Sequence, residues 1–191
     1  MSQVDALILK EFTKNLLVRK ETKMGADLYI RSISAAMKER YEPQFEQAWK
    51  ARDKAAKSKR LVGSRRDEVV AKHQARVTKF YNLMYSGGGY FRDSYNVSCL
   101  LNRLGYSWWT DVGPMLTKRE RLLTVRKARK LRELVWNAAI PKTTKRWMKE
   151  NHCHPGDTVA DYDRYFADSK VELVAFLDRA IALKESIYCS I

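Results

Sequence analysis

Residues 117–132 read Thr117-Lys-Arg-Glu-Arg-Leu-Leu-Thr-Val-Arg-Lys-Ala-Arg-Lys-Leu-Arg132, eight basic side chains against one acidic one. Thr117 followed by Glu120 has the spacing of a capping box, in which each side chain satisfies a free amide of the first turn, and so predicts a helix start. Pro141 lies just beyond Ala139, where such a helix would stop. At about 100° per residue, Val125, Ala128, Leu131, Leu134, Val135 and Ala138 share one side, and Lys118, Arg119, Arg126, Arg129 and Lys130 share the other. The expectation is a basic amphipathic helix over 117–139, carrying a charged stripe about 35 Å long at about 1.5 Å per residue. A stripe of this kind suits a polyanion, although a solvated face gives the same pattern.

The remainder of the chain shifts the weight towards a polyanion. Its 191 residues hold 37 Lys and Arg against 22 Asp and Glu, a formal net charge of +15. That surplus costs self-repulsion in the folded state, and solubility alone requires less. It is also unevenly distributed: residues 157–191 carry seven acids and four bases, so the first 156 residues hold +18. This division suggests a basic helical body over 1–156 and a mildly acidic helical pair over 157–191 packed on it, together forming one domain.

A hydrophobic content of 45% is enough for a core. No apolar run approaches 18 residues, so no membrane span is expected. Met1 to Lys20 places Asp5 and Glu11 among its apolar residues, which fits an amphipathic helix better than a signal peptide. Three cysteines, Cys99, Cys153 and Cys189, are too few and odd in number for a disulfide scaffold and suggest a reducing, cytoplasmic compartment. Gly and Pro together number 12 and cluster where the apolar periodicity breaks, which implies long helices.

Helices are accordingly expected near 4–20, 26–41, 43–61, 64–85, 93–104, 117–139, 142–151, 158–167 and 170–188. Pro43 would open the third, Ser64 with Asp67 the fourth, and Ser169 with Glu172 the last. No alternating strand of useful length stands out. The expected fold is all-α, an irregular bundle of about seven to nine helices.

Three basic clusters follow from this layout. The first spans 50–66 (Lys50, Arg52, Lys54, Lys57, Lys59, Arg60, Arg65, Arg66), as a helical arm or as a hairpin between two long helices. The second is the 117–132 stripe, and the third is Lys142, Lys145, Arg146 and Lys149. If they converge they would support roughly 6–10 phosphate contacts and strongly salt-dependent binding. Three unrelated solvated faces are the alternative. Nine of the chain's 21 aromatic residues lie between 80 and 109, with Arg92 and Arg103 among them. Tyr90, Phe91 and Arg92 follow three glycines, Gly87 to Gly89, and are the expected exposed stacking group. Those glycines lack the Lys-Ser/Thr of a phosphate loop and read as a turn.

Catalysis finds less support. His152-Cys153-His154 resembles a metal site only locally, because neighbouring side chains diverge and no second ligand pair has zinc spacing. Asp157, Asp161, Asp163 and Asp168 form an acid-rich stretch that a metal-dependent nuclease would need, and that a helix start also explains. Asn96-Val97-Ser98 matches a glycosylation acceptor by chance in an intracellular chain.

The expected function is non-enzymatic: a nucleic-acid-binding accessory protein of low sequence specificity, with no cofactor and no bound metal. Its expected contacts are Lys50, Arg52, Lys57, Lys59, Arg60, Arg65, Arg66, Tyr90, Phe91, Arg92, Lys118, Arg119, Arg126, Arg129, Lys130, Lys145 and Arg146. Its expected partners are DNA or RNA, within a larger protein or ribonucleoprotein complex, and no membrane. One alternative is an interaction module that docks an acidic protein surface through its basic and aromatic segments. Another is a metal-dependent hydrolase centred on 152–168.

Overall fold

In the computed structural model, residues 25–58, 60, 62–94 and 98–191 are described. The helix expected at 4–20 lies outside them, as do Lys59, Tyr95, Asn96 and Val97. The described residues form two compact units, one within 29–90 and one combining 25–28 with those of 91–191.

The fold is mixed α/β, which corrects the all-α expectation. Strands β1 (Ala26–Ile30), β2 (Tyr90–Asp93), β3 (Leu122–Leu123) and β4 (Ile187–Ser190) form one antiparallel sheet in the order β2-β1-β4-β3. The strands are two to five residues long, which is why they were hidden in the sequence. In β1, Ala26, Leu28 and Ile30 are fully buried, yet the same residues continue into an apolar spacing that also fits a helix. In β4, Ile187 and Cys189 are buried while Ser190 is exposed, a clear period of two too short to outweigh the helical pattern before it.

The segment expected to begin the basic helix folds otherwise. Thr117 N–H donates to the Leu122 carbonyl (2.9 Å) and its hydroxyl accepts from Leu122 N–H (3.0 Å), closing a turn in which Arg121 has φ +52°. A residue in the left-handed region cannot sit inside a right-handed helix. Thr117 therefore holds a turn instead of capping, Leu122 and Leu123 pair with Tyr188 and Ile187, and the helix starts only at Val125.

In the unit containing most of the sheet, α4 (Val125–Asn137) and α6 (Val159–Ala182) pack against each other. The buried face of α4 is Ala128, Leu131 and Val135. That of α6 runs through Phe166, Leu173, Leu177 and Ala180, at steps of three, four and seven. Full burial of each large apolar side chain contributes about 1.5–3 kcal/mol. Arg132 grips Asp178 through two hydrogen bonds (3.0 and 3.3 Å), and Lys170 donates to the Trp136 and Ala138 carbonyls (3.0 and 2.7 Å). Lys170 thus caps the carbonyl end of α4 from outside.

The expected pair 158–167 and 170–188 is a single helix, opened by a reciprocal capping box between Thr158 and Asp161. The shorter α5 (Lys145–Glu150), within the expected 142–151, is capped by Thr144. The expected helix at 93–104 shrinks to α3 (Leu100–Arg103), and residues 105–116 hold only a wide turn at Trp108–Val112 and a tight one at Gly113–Met115.

The other unit is a hairpin of two long helices, α1 (Arg31–Ala56) and α2 (Ser64–Met84). The two helices expected on either side of Pro43 are one, with Pro43 in its interior. Proline removes the amide that would reach the Glu39 carbonyl but leaves the helix continuous. Gly63, with φ +58°, precedes α2 and takes the cap position expected of Ser64. The hairpin core is thin, its buried apolar residues being Ala48, Ala55, Val77 and Met84.

Candidate nucleic-acid interface

Charge is unevenly distributed along the hairpin. Residues 50–74, its distal part by the register that sets Phe45 beside Tyr81, hold nine Lys and Arg against three acids. Residues 29–49 and 75–90, the proximal part, hold Arg31, Lys38, Arg40, Arg76 and Lys79 against Glu39, Glu42 and Glu46. Small buried residues explain how the hairpin accommodates this charge. Ala48, Ala55 and Val77 let the helices approach with little apolar surface, leaving the remaining positions free to be polar.

Lys50, Lys54, Lys57, Arg60, Arg65, Lys72, Arg76 and Lys79 are exposed, while Arg52 and Arg66 are half-buried. Lys57 pairs with Asp53 at 2.8 Å and Lys50 with Glu46 at 3.5 Å, both exposed i,i+4 contacts that hold these cations only weakly. Arg66 donates to the Ser58 carbonyl at 3.3 Å across the hairpin tip. Lys59 lies outside the described residues.

The aromatic part of the expected site is rearranged. Phe91 is buried, 3% exposed, and packs on Phe176 with ring centroids 6.2 Å apart, so it cannot receive a base. Arg92 is exposed, but its guanidinium makes two hydrogen bonds to Asp27 (2.7 and 3.1 Å) and is committed to the sheet. Tyr90 is half-buried between Tyr29 (5.1 Å) and Tyr85 (4.7 Å). Arg103 is also structural: its guanidinium lies over Trp147 at 4.4 Å and donates to the Pro141 carbonyl at 2.7 Å.

The three glycines before Tyr90 form a return turn. Gly87 and Gly88 have positive φ, and a Cβ at Gly89 would come within 2.6 Å of Ile33. The Gly89 carbonyl accepts from Ile30 N–H and Ser34 Oγ, both at 2.8 Å.

Tyr90 belongs to a file of six rings in the hairpin unit that the sequence reading missed. Successive centroids are 6.1 Å apart from Trp49 to Phe45, 6.2 Å from Phe45 to Tyr81 and 4.8 Å from Tyr81 to Tyr85, before the file reaches Tyr90 and Tyr29. The available signal was the i,i+4 spacing of Phe45 with Trp49 and of Tyr81 with Tyr85, which puts each pair on one helix face.

In the other unit, Arg126, Arg129 and Lys130 are exposed on α4, as expected. Lys118 and Arg119 are exposed on the turn before β3 and so lie off the helix. A helix of 13 residues is about 20 Å long, which shortens the expected stripe by nearly half. Lys145 is exposed on α5, and Arg146 beside it is bound to Glu150 at 2.8 Å.

The acid-rich stretch is occupied by structural work. Asp161 closes the α6 cap, Asp163 accepts from Thr143 N–H at 2.8 Å, and Asp157 accepts from the Tyr162 hydroxyl at 3.0 Å. Hydrogen bonds from Thr158 hold the Asp161 carboxyl below the usual range, and those from Thr143 do the same for Asp163. His154 Nδ1 accepts from Gly156 N–H within the α5–α6 turn. Among the described residues, no three His, Cys, Asp or Glu side chains converge on a point where they could share a metal ion. Nor is any described helix long and apolar enough to cross a membrane. The chain matches no known family model, no curated protein and no solved structure.

Proposed function

We propose that this protein binds nucleic acid chiefly through phosphate contacts, with little sequence preference, and that the helical hairpin is its principal contact element. The observation that carries this reading is the nine-to-three excess of bases over acids in residues 50–74, at the distal end of a helical hairpin whose proximal part holds five bases against three acids. Charge grouped on two exposed helices meets a polyanion without burying large apolar areas, and counterion release supplies the affinity. The exposed Arg126, Arg129 and Lys130 on α4 offer a second, smaller set of cations.

The test is the dependence of affinity on salt. Engaging about five phosphates gives a log–log slope of about −4.5 on duplex DNA and about −3.5 on a single strand. Replacing Lys57, Arg60 and Arg65 together by Gln should weaken binding and flatten the slope by about 2, with the helical circular dichroism signal unchanged. The same exchange at Arg126, Arg129 and Lys130 should have the smaller effect. Affinity independent of salt between about 50 and 200 mM would rule out a phosphate-based mode.

A further inference from the structure

The ring file gives the hairpin a feature that phosphate binding alone does not need. Trp49 is 47% exposed and Tyr81 is 43% exposed, with Phe45 half-buried between them. An open apolar depression of about 260 Å³ lies over Phe45, Glu46, Trp49 and Lys50. Cations flank it. The Arg52 guanidinium sits 5.0 Å from the centre of the Trp49 ring, with its Nε lacking a hydrogen-bond partner among the described residues, and Lys50 is the next residue on α1.

Packing between the helices uses only part of these ring surfaces. The fully buried positions of the two helices are Ala48, Ala55, Val77 and Met84; Phe45 and Tyr81 also meet between them, yet Trp49 and Tyr81 leave almost half of their surface in water. Large exposed rings in a row are costly to keep in solvent unless something covers them.

We propose that Trp49, Phe45 and Tyr81 form a stacking platform for the unpaired bases of a single-stranded nucleic acid, whose backbone follows the cations of the distal hairpin. The proposal rests on the nucleic-acid reading above and specifies its substrate class. Three features select this occupant. Every base has a π-face, so a row of rings binds a single strand whatever its sequence. The adjoining surface is strongly cationic, matching a phosphate chain and opposing a cationic partner. A duplex hides its base faces and gains nothing from the rings, so the platform separates single from double strands where charge alone does not.

The test compares an oligonucleotide of about 15 deoxythymidines, an oligouridine of the same length, and a duplex of that length, over about 50 to 200 mM salt. In the double variant Trp49→Ala with Tyr81→Ala, affinity for the single strand that the wild type binds should fall at least about 20-fold, with the salt slope kept. Duplex affinity should change less than about twofold. Trp49→Phe with Tyr81→Phe retains the π-faces and should recover most of the loss.

A second measurement uses the wild-type protein alone. Strands carrying 5-bromouracil should photocrosslink to the peptides that contain Phe45, Trp49 and Tyr81. Single-strand binding unaffected by the Ala variant, or crosslinks confined to other segments, would overturn the platform while leaving the phosphate reading intact. Equal losses on single strand and duplex would also overturn it. Failure of the wild type to bind any of the three probes at low salt would instead remove the phosphate reading itself.

Discussion

Asp93 shows what a single buried carboxylate can organise. Only 2% exposed, it accepts from the backbone amides of Leu100 and Leu101 (2.6 and 3.0 Å), from Ser94 N–H (2.9 Å) and from Trp108 Nε1 (2.7 Å). It therefore fixes the start of α3 and the position of the fully buried Trp108 from the end of β2. Removing it strands several buried donors at once. Asp93→Ala should cost about 3 kcal/mol and lower Tm by about 10 °C in a thermal scan. Asp93→Asn should recover only part of this, because an amide N–H₂ would face groups that are themselves donors. The neighbouring Cys99 thiol is pushed well above the usual range by burial and then by Asp93. Burial likewise pushes Cys189 from 9.0 up to about 12. The unfolded chain ionises Cys189 first, so stability present below pH 9 should be lost as pH rises from about 9 towards 12. Urea midpoints across that range should drop, and Cys189→Ala should flatten the drop.

At the scale of elements, the two units are built differently. The stripe of α6 buries Phe166, Leu173, Phe176 and Leu177, whereas the hairpin buries mainly alanine and valine. Local opening should therefore be easier in the hairpin. Amide hydrogen exchange should be fastest, among helical segments longer than two turns, along residues 48–77, and slowest along 166–180; equal protection would contradict this. The same contrast explains what could be read in the sequence. Long helices with strong signals are legible: the spacing puts α2 within one residue of its bounds, and the 50–66 cluster reads either as a helical arm or as a hairpin between two long helices, of which the structure has the second. Strands are not, because β1 and β4 each continue directly from or into helical spacing, and β3 is two residues long. Thr117 and Glu120 match a cap by spacing, but Leu122 and Leu123 pair with β4 instead of joining a helix turn. For the candidate interface, the cations of 50–66 were legible from charge alone. Phe91 was not, since a buried and an exposed ring beside three glycines look the same until the sheet is known. The ring file depends on α1 and α2 lying antiparallel, a relation between residues over 30 positions apart.

For the molecule as a whole, what matters is where the chain enters and leaves the hairpin. The chain leaves the sheet at Ile30 and returns at Tyr90, and β1 and β2 are neighbours in that sheet. Tyr29 and Tyr90 stand 5.1 Å apart by ring centroids, so the two ends of a 59-residue excursion are as close as the ends of a tight turn. Such a segment behaves as an insertion that the surrounding fold need not depend on. Cutting out residues 31–89 and joining β1 to β2 by a short Asn-Gly turn should leave a protein that still melts cooperatively but has lost most of its salt-dependent affinity. The reciprocal follows from the same geometry: spliced into the β-turn of an unrelated carrier, the excised piece should take its polyanion affinity with it, a transplantable arm rather than a property of its host.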